Sequence, residues 1–175
     1  LEVARELLPR DGIATCDTGA HKLLATQVWR SYTPRSFLVS DGLSTMGYAV
    51  PAAMTARLLD PGRPVIAFVG DGGMAMFLGE IETAIRYGLN FPIVVFAESS
   101  LLLIKMIQKR RGYAPFGVDF SNPDYPKLAE AFGARGYVAE NALQFRAALE
   151  EALRADTVSV IEARIDGSTY GFSVI

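Results

Sequence analysis

The sequence predicts an α/β protein with three layers, in which a doubly wound, mostly parallel sheet carries helices on both faces. Three observations support this prediction. Apolar, strand-like runs alternate with helical patterns along most of the chain. The runs are almost continuously hydrophobic, which is typical of strands buried on both faces. Two of them end abruptly in polar turns, as strands do at the carboxyl edge of such a sheet.

The elements follow one another in a regular order. Strands are predicted near residues 13–16, 37–40, 65–69, 92–97 and 158–163, with a short one near 136–139. Helices are predicted near residues 1–8, 20–29, 45–58, 77–87, 101–109, 124–132 and 142–154. A chain of 175 residues fits a single domain, so residues 1–175 are interpreted as one unit.

An acidic glycine segment, Gly70–Gly73, follows the strand-like run Val65–Val69. A strand, a glycine turn and a helix in this order are where α/β proteins hold phosphates. Here the segment also contains the carboxylate of Asp71, which repels a phosphate unless a divalent cation lies between them. The glycines Gly70, Gly72 and Gly73 suit a close approach of the phosphate, although a tight turn alone would also use them. The segment therefore predicts a diphosphate bridged by a metal ion.

A second apolar run, residues 91–96, ends in Ala97-Glu98-Ser99-Ser100. Residues 73–96 lie between Gly72 and Ala97, which leaves room for one turn, one helix and one returning strand. Because such a crossover makes the two strands parallel, Asp71 and Glu98 are expected to face one another across a crevice. Two carboxylates with phosphate oxygens and water suit octahedral Mg²⁺.

These residues resemble a known family. The chain is similar to the diphosphate-binding domain of thiamine diphosphate enzymes, in particular the acetolactate synthase and pyruvate oxidase-like group. That family has Gly-Asp-Gly, some two dozen residues, and then Asn-Asn or a variant. The matching blocks are Gly70-Asp71-Gly72 with Ala97-Glu98, residues 40–53, residues 17–22, and residues 118–120 followed by 125–133.

The resemblance implies a set of metal ligands and phosphate contacts. Asp71 would bind Mg²⁺ through its side chain, and Glu98 occupies the position of the second ligand. The backbone carbonyl of Ser100 would be the third protein ligand. Gly72 and Gly73 would offer backbone N–H groups to the diphosphate.

The resemblance also implies contacts with the rest of the cofactor. Met46 matches the bulky apolar residue that supports its bent form, although Met46 could instead be an ordinary core residue. The carbonyl of Ser44 would accept from the aminopyrimidine. His21, the only histidine, is a possible substrate contact or a packing residue at a helix start.

The pair Ala97-Glu98 departs from the family pattern. Glu98 is one methylene longer than Asp and carries a charge that Asn lacks. It can still bind a hard cation, and the alternative is a non-catalytic domain with a degenerate metal site. Exchange of Glu98 for Asn would separate the two hypotheses.

The family's chemistry implies an acetolactate synthase-like lyase or transferase, which decarboxylates a 2-oxo acid and ligates the product. Other thiamine diphosphate-dependent decarboxylases, oxidases or acetyltransferases remain as alternatives. The family's activating Glu lies on a pyrimidine-binding domain that nothing here matches. We therefore expect no catalytic residue in this chain, and little activity from it alone. Whether FAD binds is not decided by these residues.

Composition limits the other possibilities. The formal charge of −2 and the lack of a basic stripe argue against a nucleic-acid partner. No apolar run is long enough for a membrane span, and no signal peptide is visible. The single cysteine, Cys16, fits a reducing cytoplasm. A dinucleotide-binding module is disfavoured because no Gly-x-Gly-x-x-Gly lies at a first strand–helix turn.

The expected partners follow from the family's organisation. The chain begins inside a helical pattern without a starting Met, which indicates a fragment of a larger enzyme. A homodimer or homotetramer is expected, because the family's sites form at subunit interfaces. The missing pyrimidine-binding domain, from the same or a neighbouring subunit, and a small 2-oxo acid complete the expected set of partners.

Overall fold

The computed structural model describes residues 1–170 and contains a six-stranded sheet. The strands are β1 (Ile13–Cys16), β2 (Phe37–Val39), β3 (Val65–Gly70), β4 (Pro92–Ala97), β5 (Arg135–Ala139) and β6 (Ser159–Arg164). The α-helices are α1 (Glu2–Leu7), α2 (Ala20–Val28), α3 (Ala49–Leu59), α4 (Asp71–Phe77), α5 (Glu80–Arg86), α6 (Leu102–Arg110), α7 (Tyr125–Phe132) and α8 (Ala142–Arg154). A 3₁₀ turn follows at Gly167–Thr169.

The sheet has the order β2-β1-β3-β4-β6-β5, and every pair of neighbouring strands is parallel. The chain runs outward from β1 to β2 and then returns to the other side of β1 to form β3. The strand order therefore reverses between β1 and β3. In open α/β sheets, ligands bind outside the carboxyl ends of the strands at such a switch point.

Two apolar clusters cover the two faces of the sheet. Side chains alternate between the faces along each strand, so Val65, Ala67 and Val69 pack on one side while Ile66 and Phe68 pack on the other. Helices α3, α5 and α7 contribute to the first cluster, whereas α1, α2 and α8 contribute to the second. The predicted three-layer fold class is confirmed.

Two predicted helices differ from those in the structure. The helix predicted at 45–58 begins only at Ala49, because Ser44 (φ 48°) and Gly47 (φ 80°) take left-handed backbone conformations that no helix accommodates. The helix predicted at 77–87 begins only at Glu80, as α5, and a separate helix that was not predicted, α4, covers residues 71–77. The glycine segment is thus the end of β3 and the first turn of α4, rather than a turn that precedes a helix.

None of the helices in residues 1–170 combines the length and the apolar character that crossing a bilayer requires.

Candidate functional site

A cleft of about 590 Å³ lies at the carboxyl edge of the sheet, where β1, β3 and β4 end. It is therefore at the switch point of the strand order. Eight of the nine residues predicted for the site line this cleft: His21, Met46, Gly70, Asp71, Gly72, Gly73, Glu98 and Ser100. The structure brings them together from four separate stretches of the chain.

Asp71 connects the ends of β3 and β4. Its side chain is buried, and its Oδ1 accepts a hydrogen bond from the backbone N–H of Gly72 at 2.8 Å. Its Oδ2 accepts from the N–H groups of Glu98 at 2.9 Å and Ser99 at 2.6 Å, and from the Asn122 side chain at 3.1 Å. The two strand ends are adjacent, as the crossover predicted, and the carboxylate holds the turn after β4 in place.

The carboxyl group of Glu98 lies between the cleft and the C-terminal part of the described chain. Its Oε1 accepts from the Ser100 hydroxyl at 3.2 Å, and a Cβ at position 167 would overlap it. Burial raises the pKa of Glu98, the Ser100 hydrogen bond opposes that rise, and the negative charge of Asp71 adds to it. A cation between the two carboxylates would oppose this rise.

The turn after β4 is fixed by a second segment of the chain. Ser100 and Asp119 form an antiparallel bridge, in which the N–H of Leu101 donates to Val118 O at 2.8 Å and the N–H of Phe120 donates to Ser99 O at 3.1 Å. Ser100 lies between the two residues that make these bonds, Ser99 and Leu101. In antiparallel pairing the C=O of such a residue points away from the partner strand. The Ser100 carbonyl is therefore directed away from residues 118–120.

Ser99 has a left-handed backbone with φ 63°. Strained conformations of this kind persist only where their surroundings enforce them, and they are frequent at binding sites. Here the enforcing groups are the Asp71 carboxylate, which accepts the Ser99 N–H, and the N–H of Phe120, which donates to the Ser99 carbonyl. The turn that contains two predicted metal ligands is consequently preorganised.

No group of three or more His, Cys, Asp or Glu side chains that could hold a metal ion occurs among residues 1–170. The predicted ligand set does not require one, because it consists of two carboxylates, a backbone carbonyl and the phosphate oxygens. Metal binding by Asp71, Glu98 and Ser100 therefore stays a prediction.

His21 lies in the first turn of α2, 4% exposed, with its ring stacked on Phe96 at 5.2 Å between ring centroids. Its Nε2 is buried and has no hydrogen-bond partner within the described residues. Burial lowers the pKa of His21 to about 4. At neutral pH the cleft thus contains an uncharged imidazole with one nitrogen available to a bound molecule.

Met46 lies over the glycine segment, since a Cβ at Gly72 would be 3.0 Å from its Cε. Ser44 is the one predicted residue that does not line the cleft; its side chain is exposed, 3.5 Å from the Nζ of Lys22. The expectation that the Ser44 carbonyl receives the aminopyrimidine stays a prediction.

Three residues around the cleft were missed by the sequence reasoning. Asn122 and Tyr125 contact Asp71 from more than fifty positions away, and nothing in the local pattern distinguishes them. Asp17 is buried beneath Gly73, with its carboxylate bonded to the N–H groups of Gly47 and Tyr48. The sequence offered one indication that Asp17 belongs to the site, namely its position directly after the β1 run.

Comparisons with known proteins find similar sequences over nearly the whole chain. Residues 17–163 match the sequence model of the family described as thiamine pyrophosphate enzyme, C-terminal TPP binding domain. Acetolactate synthase of Bacillus subtilis is 33% identical over 173 residues, which are 96% of this chain and 30% of that protein. The 3D-(3,5/4)-trihydroxycyclohexane-1,2-dione hydrolase of the same organism is 32% identical over 167 residues, 91% of this chain and 26% of the hydrolase.

A solved structure has the same fold. The thiamine diphosphate-dependent 4-hydroxybenzoylformate decarboxylase of Rhodococcus jostii RHA1 superposes with a TM-score of 0.86 at 26% identity, over 94% of this chain and 31% of the decarboxylase. The chain thus spans less than a third of the length of each of these relatives.

Proposed function

The chain belongs to the thiamine pyrophosphate enzymes as their C-terminal TPP-binding domain, and from this premise we propose that it binds the diphosphate of thiamine diphosphate through Mg²⁺, as part of an acetolactate synthase-like enzyme. The observation that carries the proposal is the convergence of Asp71, Glu98 and the glycine segment in one cleft at the switch point of the sheet.

The residues present fit such a group. The cleft is concave and lined by apolar side chains with a few convergent polar groups, as small-molecule sites usually are. Gly72 leaves open the space between Met46 and Leu101, because a Cβ there would lie 3.0 Å and 2.9 Å from their side chains. The Nε2 of His21 is buried at the cleft without a partner among residues 1–170, which suits a hydrogen bond to a polar ligand.

Each protein group has a separate task in this proposal. Asp71, Glu98 and the Ser100 carbonyl would hold the cation, which in turn would hold the phosphate oxygens. Met46 would support the cofactor above Gly72. His21 would accept one hydrogen bond at Nε2 while remaining neutral, because its other ring nitrogen bonds the backbone of Asp17. The apolar side chains of residues 101–104 line the cleft and would exclude water from it.

Thiamine diphosphate, when bound, supplies the nucleophilic carbon and the electron sink for decarboxylation of a 2-oxo acid. The chain's own residues bind, orient and desolvate that group. The activating carboxylate and part of the substrate pocket are proposed to come from a pyrimidine-binding domain outside these 175 residues.

Calorimetric titration of thiamine diphosphate tests the binding step. The full natural polypeptide that contains this chain would be titrated in Mg²⁺ and again in EDTA. We expect saturable binding in Mg²⁺ that is lost in EDTA and in Asp71→Ala. Binding that is equally tight in EDTA would contradict the bridged diphosphate.

Analysis of the products formed from a 2-oxo acid tests which reaction the full polypeptide catalyses. The similarity to acetolactate synthase supports pyruvate as substrate and acetolactate as product, whereas the similarity to a decarboxylase and a hydrolase supports other outcomes. We expect acetolactate from pyruvate with the full polypeptide. Release of acetaldehyde alone would instead assign a simple decarboxylase.

A second candidate function is a domain with a degenerate metal site. It is favoured by one observation, namely that Glu98 bonds Ser100 and lies against Gly167. Glu98→Asn and Glu98→Asp separate the two candidates in the same titration. Weaker cofactor binding in Glu98→Asn would support Glu98 as a ligand, and much tighter binding would support degeneration.

Exposed apolar side chains support a partner domain at the cleft. Leu43, Met76, Ile104 and Phe116 belong to the segments around it, and Leu43 is 96% exposed. Large exposed apolar residues close to a ligand site are typical of interaction surfaces. We propose that the pyrimidine-binding domain of the same or a neighbouring subunit covers them in a homodimer or homotetramer. Sedimentation of the full polypeptide measures that assembly.

A further inference from the structure

Asn122 and Tyr125 hold Asp71 from two sides. The Asn122 carboxamide donates to Asp71 Oδ2 at 3.1 Å. The Tyr125 hydroxyl donates to the backbone carbonyl of Asp71 at 2.8 Å and lies 3.4 Å from Asn122 Oδ1. Tyr125 is fully buried. Asn122, in the segment between α6 and α7, thus fixes the carboxylate of the proposed cation ligand. Tyr125, in α7, fixes its backbone.

The hydrogen bonds divide the two carboxylate oxygens of Asp71 between two tasks. Oδ2 accepts from three donors, the N–H groups of Glu98 and Ser99 and the amide of Asn122. Oδ1 accepts only from Gly72 among the described residues. A carboxylate oxygen has about two lone-pair sites, so Oδ2 is saturated and Oδ1 keeps acceptor capacity. Oδ1 is therefore the oxygen that can bind a cation.

We propose that Asn122 is a positioning residue of the cation site, which fixes the Asp71 carboxylate so that Oδ1 is presented to the metal. The inference rests on the proposed function, since it assumes that Asp71 binds a divalent cation. Outer partners that orient a ligating carboxylate typically change metal affinity by about 10–100-fold when they are removed. Tyr125 supports the same geometry through the backbone.

The segment that contains Asn122 also fixes the other half of the site. Residues 118–120 pair with residues 99–101, and Asn122 follows two residues later. One stretch of chain therefore sets both the orientation of Asp71 and the direction of the Ser100 carbonyl. This arrangement gives the positioning role a structural cause beyond a single hydrogen bond.

The test measures binding of Mn²⁺ as a probe for Mg²⁺, by loss of the free-ion EPR signal, in the full natural polypeptide with thiamine diphosphate present. We expect Asn122→Ala to raise the Kd of Mn²⁺ by about tenfold or more, and Tyr125→Phe to raise it by less. Asn141→Ala is the matched control, because Asn141 caps α8 through the N–H of Gln144, away from the cleft. It should leave the Kd unchanged.

A double variant distinguishes positioning from a general loss of stability. In an Asp71→Asn background, removal of Asn122 should have no further effect on the Kd of Mn²⁺. A Kd of Asn122→Ala within twofold of the unmodified protein, or the same loss with and without Asp71, overturns the positioning role. No Mn²⁺ binding by the unmodified protein overturns the proposed function itself, and this inference with it. Thermal midpoints in EDTA verify that each variant is folded.

Discussion

The carboxylate of Asp17 lies directly beneath Gly73, so closely that a Cβ at position 73 would overlap its Oδ2. The same carboxylate accepts the N–H groups of Gly47 at 2.8 Å and Tyr48 at 2.7 Å. The end of β1, the approach to α3 and the first turn of α4 therefore meet at one buried carboxylate. The position of the glycine segment depends on this contact.

Gly73→Ala is expected to destabilise the chain. The added methyl group cannot be accommodated unless Asp17 moves and loses its two N–H donors, and overpacking of this kind costs about 1–3 kcal/mol. Gly79→Ala is the control, because a Cβ there meets nothing within 4 Å and its φ is −63°. Urea denaturation followed by fluorescence of Trp29 measures both, and equal stability of the two variants would contradict the expected contact.

Removal of the Asp17 carboxylate is expected to weaken the start of α3. Asp17→Ala leaves the buried N–H of Gly47 and the partly buried N–H of Tyr48 without their acceptor, at a cost of about 1–3 kcal/mol for each group. Asp17→Asn retains one acceptor oxygen and should lose less. Thr26→Ala removes only exposed hydrogen bonds to the carbonyls of Lys22 and Leu23 and should be nearly neutral. The free energy of unfolding of the three variants tests this order.

The stability of the chain is expected to fall between about pH 6.5 and pH 4 because of His21. Burial lowers the pKa of His21 from 6.5 to about 4, so in this range the unfolded chain binds a proton that the folded chain does not. The loss on acidification is on the order of 3 kcal/mol. It is absent above about pH 7, where neither state is protonated.

His21→Gln isolates this contribution. Burial raises the pKa values of Asp17 and Glu98, and raised carboxyl pKa values favour the folded state as pH falls, so the comparison must be made between protein and variant. The difference in their unfolding free energies should shrink or reverse between pH 7 and pH 4. The chain has one histidine, so the chemical shifts of the imidazole ring protons, followed by NMR against pH, report the pKa of His21 directly. A pKa near 6.5 would contradict the prediction.

The sheet and most of its helices could be predicted from local patterns. Continuous apolar runs and turns mark β3 and β4, and the crossover between them placed Asp71 beside Glu98, as the hydrogen bond from the Glu98 N–H shows. The later start of α3 could not be predicted, because the left-handed backbone of Ser44 is imposed on a residue type that does not require it.

The contacts around Asp71 could not be predicted for a different reason. Asn122 and Tyr125 reach it across 51 and 54 residues of chain, and no periodicity connects positions so far apart. Tyr125 resembles an ordinary apolar residue at a helix start, although its hydroxyl is bonded to a backbone carbonyl. Polar contacts of this kind depend on the packing of α7 against the sheet, which only the folded structure defines.

Gly72→Ala is expected to separate cofactor binding from folding. A Cβ at position 72 would lie 2.9 Å from Leu101 Cδ2 and 3.0 Å from Met46 Cε, the flexible ends of two side chains. Those ends can shift, and Ala favours the helical backbone of α4 by about 1 kcal/mol, so stability should change little.

The methyl group nevertheless occupies the floor of the cleft. We expect the Kd of thiamine diphosphate in Mg²⁺ to rise about tenfold or more, an effect of about 1.4 kcal/mol, in calorimetric titration of the full polypeptide. Gly79→Ala should leave it unchanged, and a similar loss of affinity in both variants would show that the cleft is not the binding site.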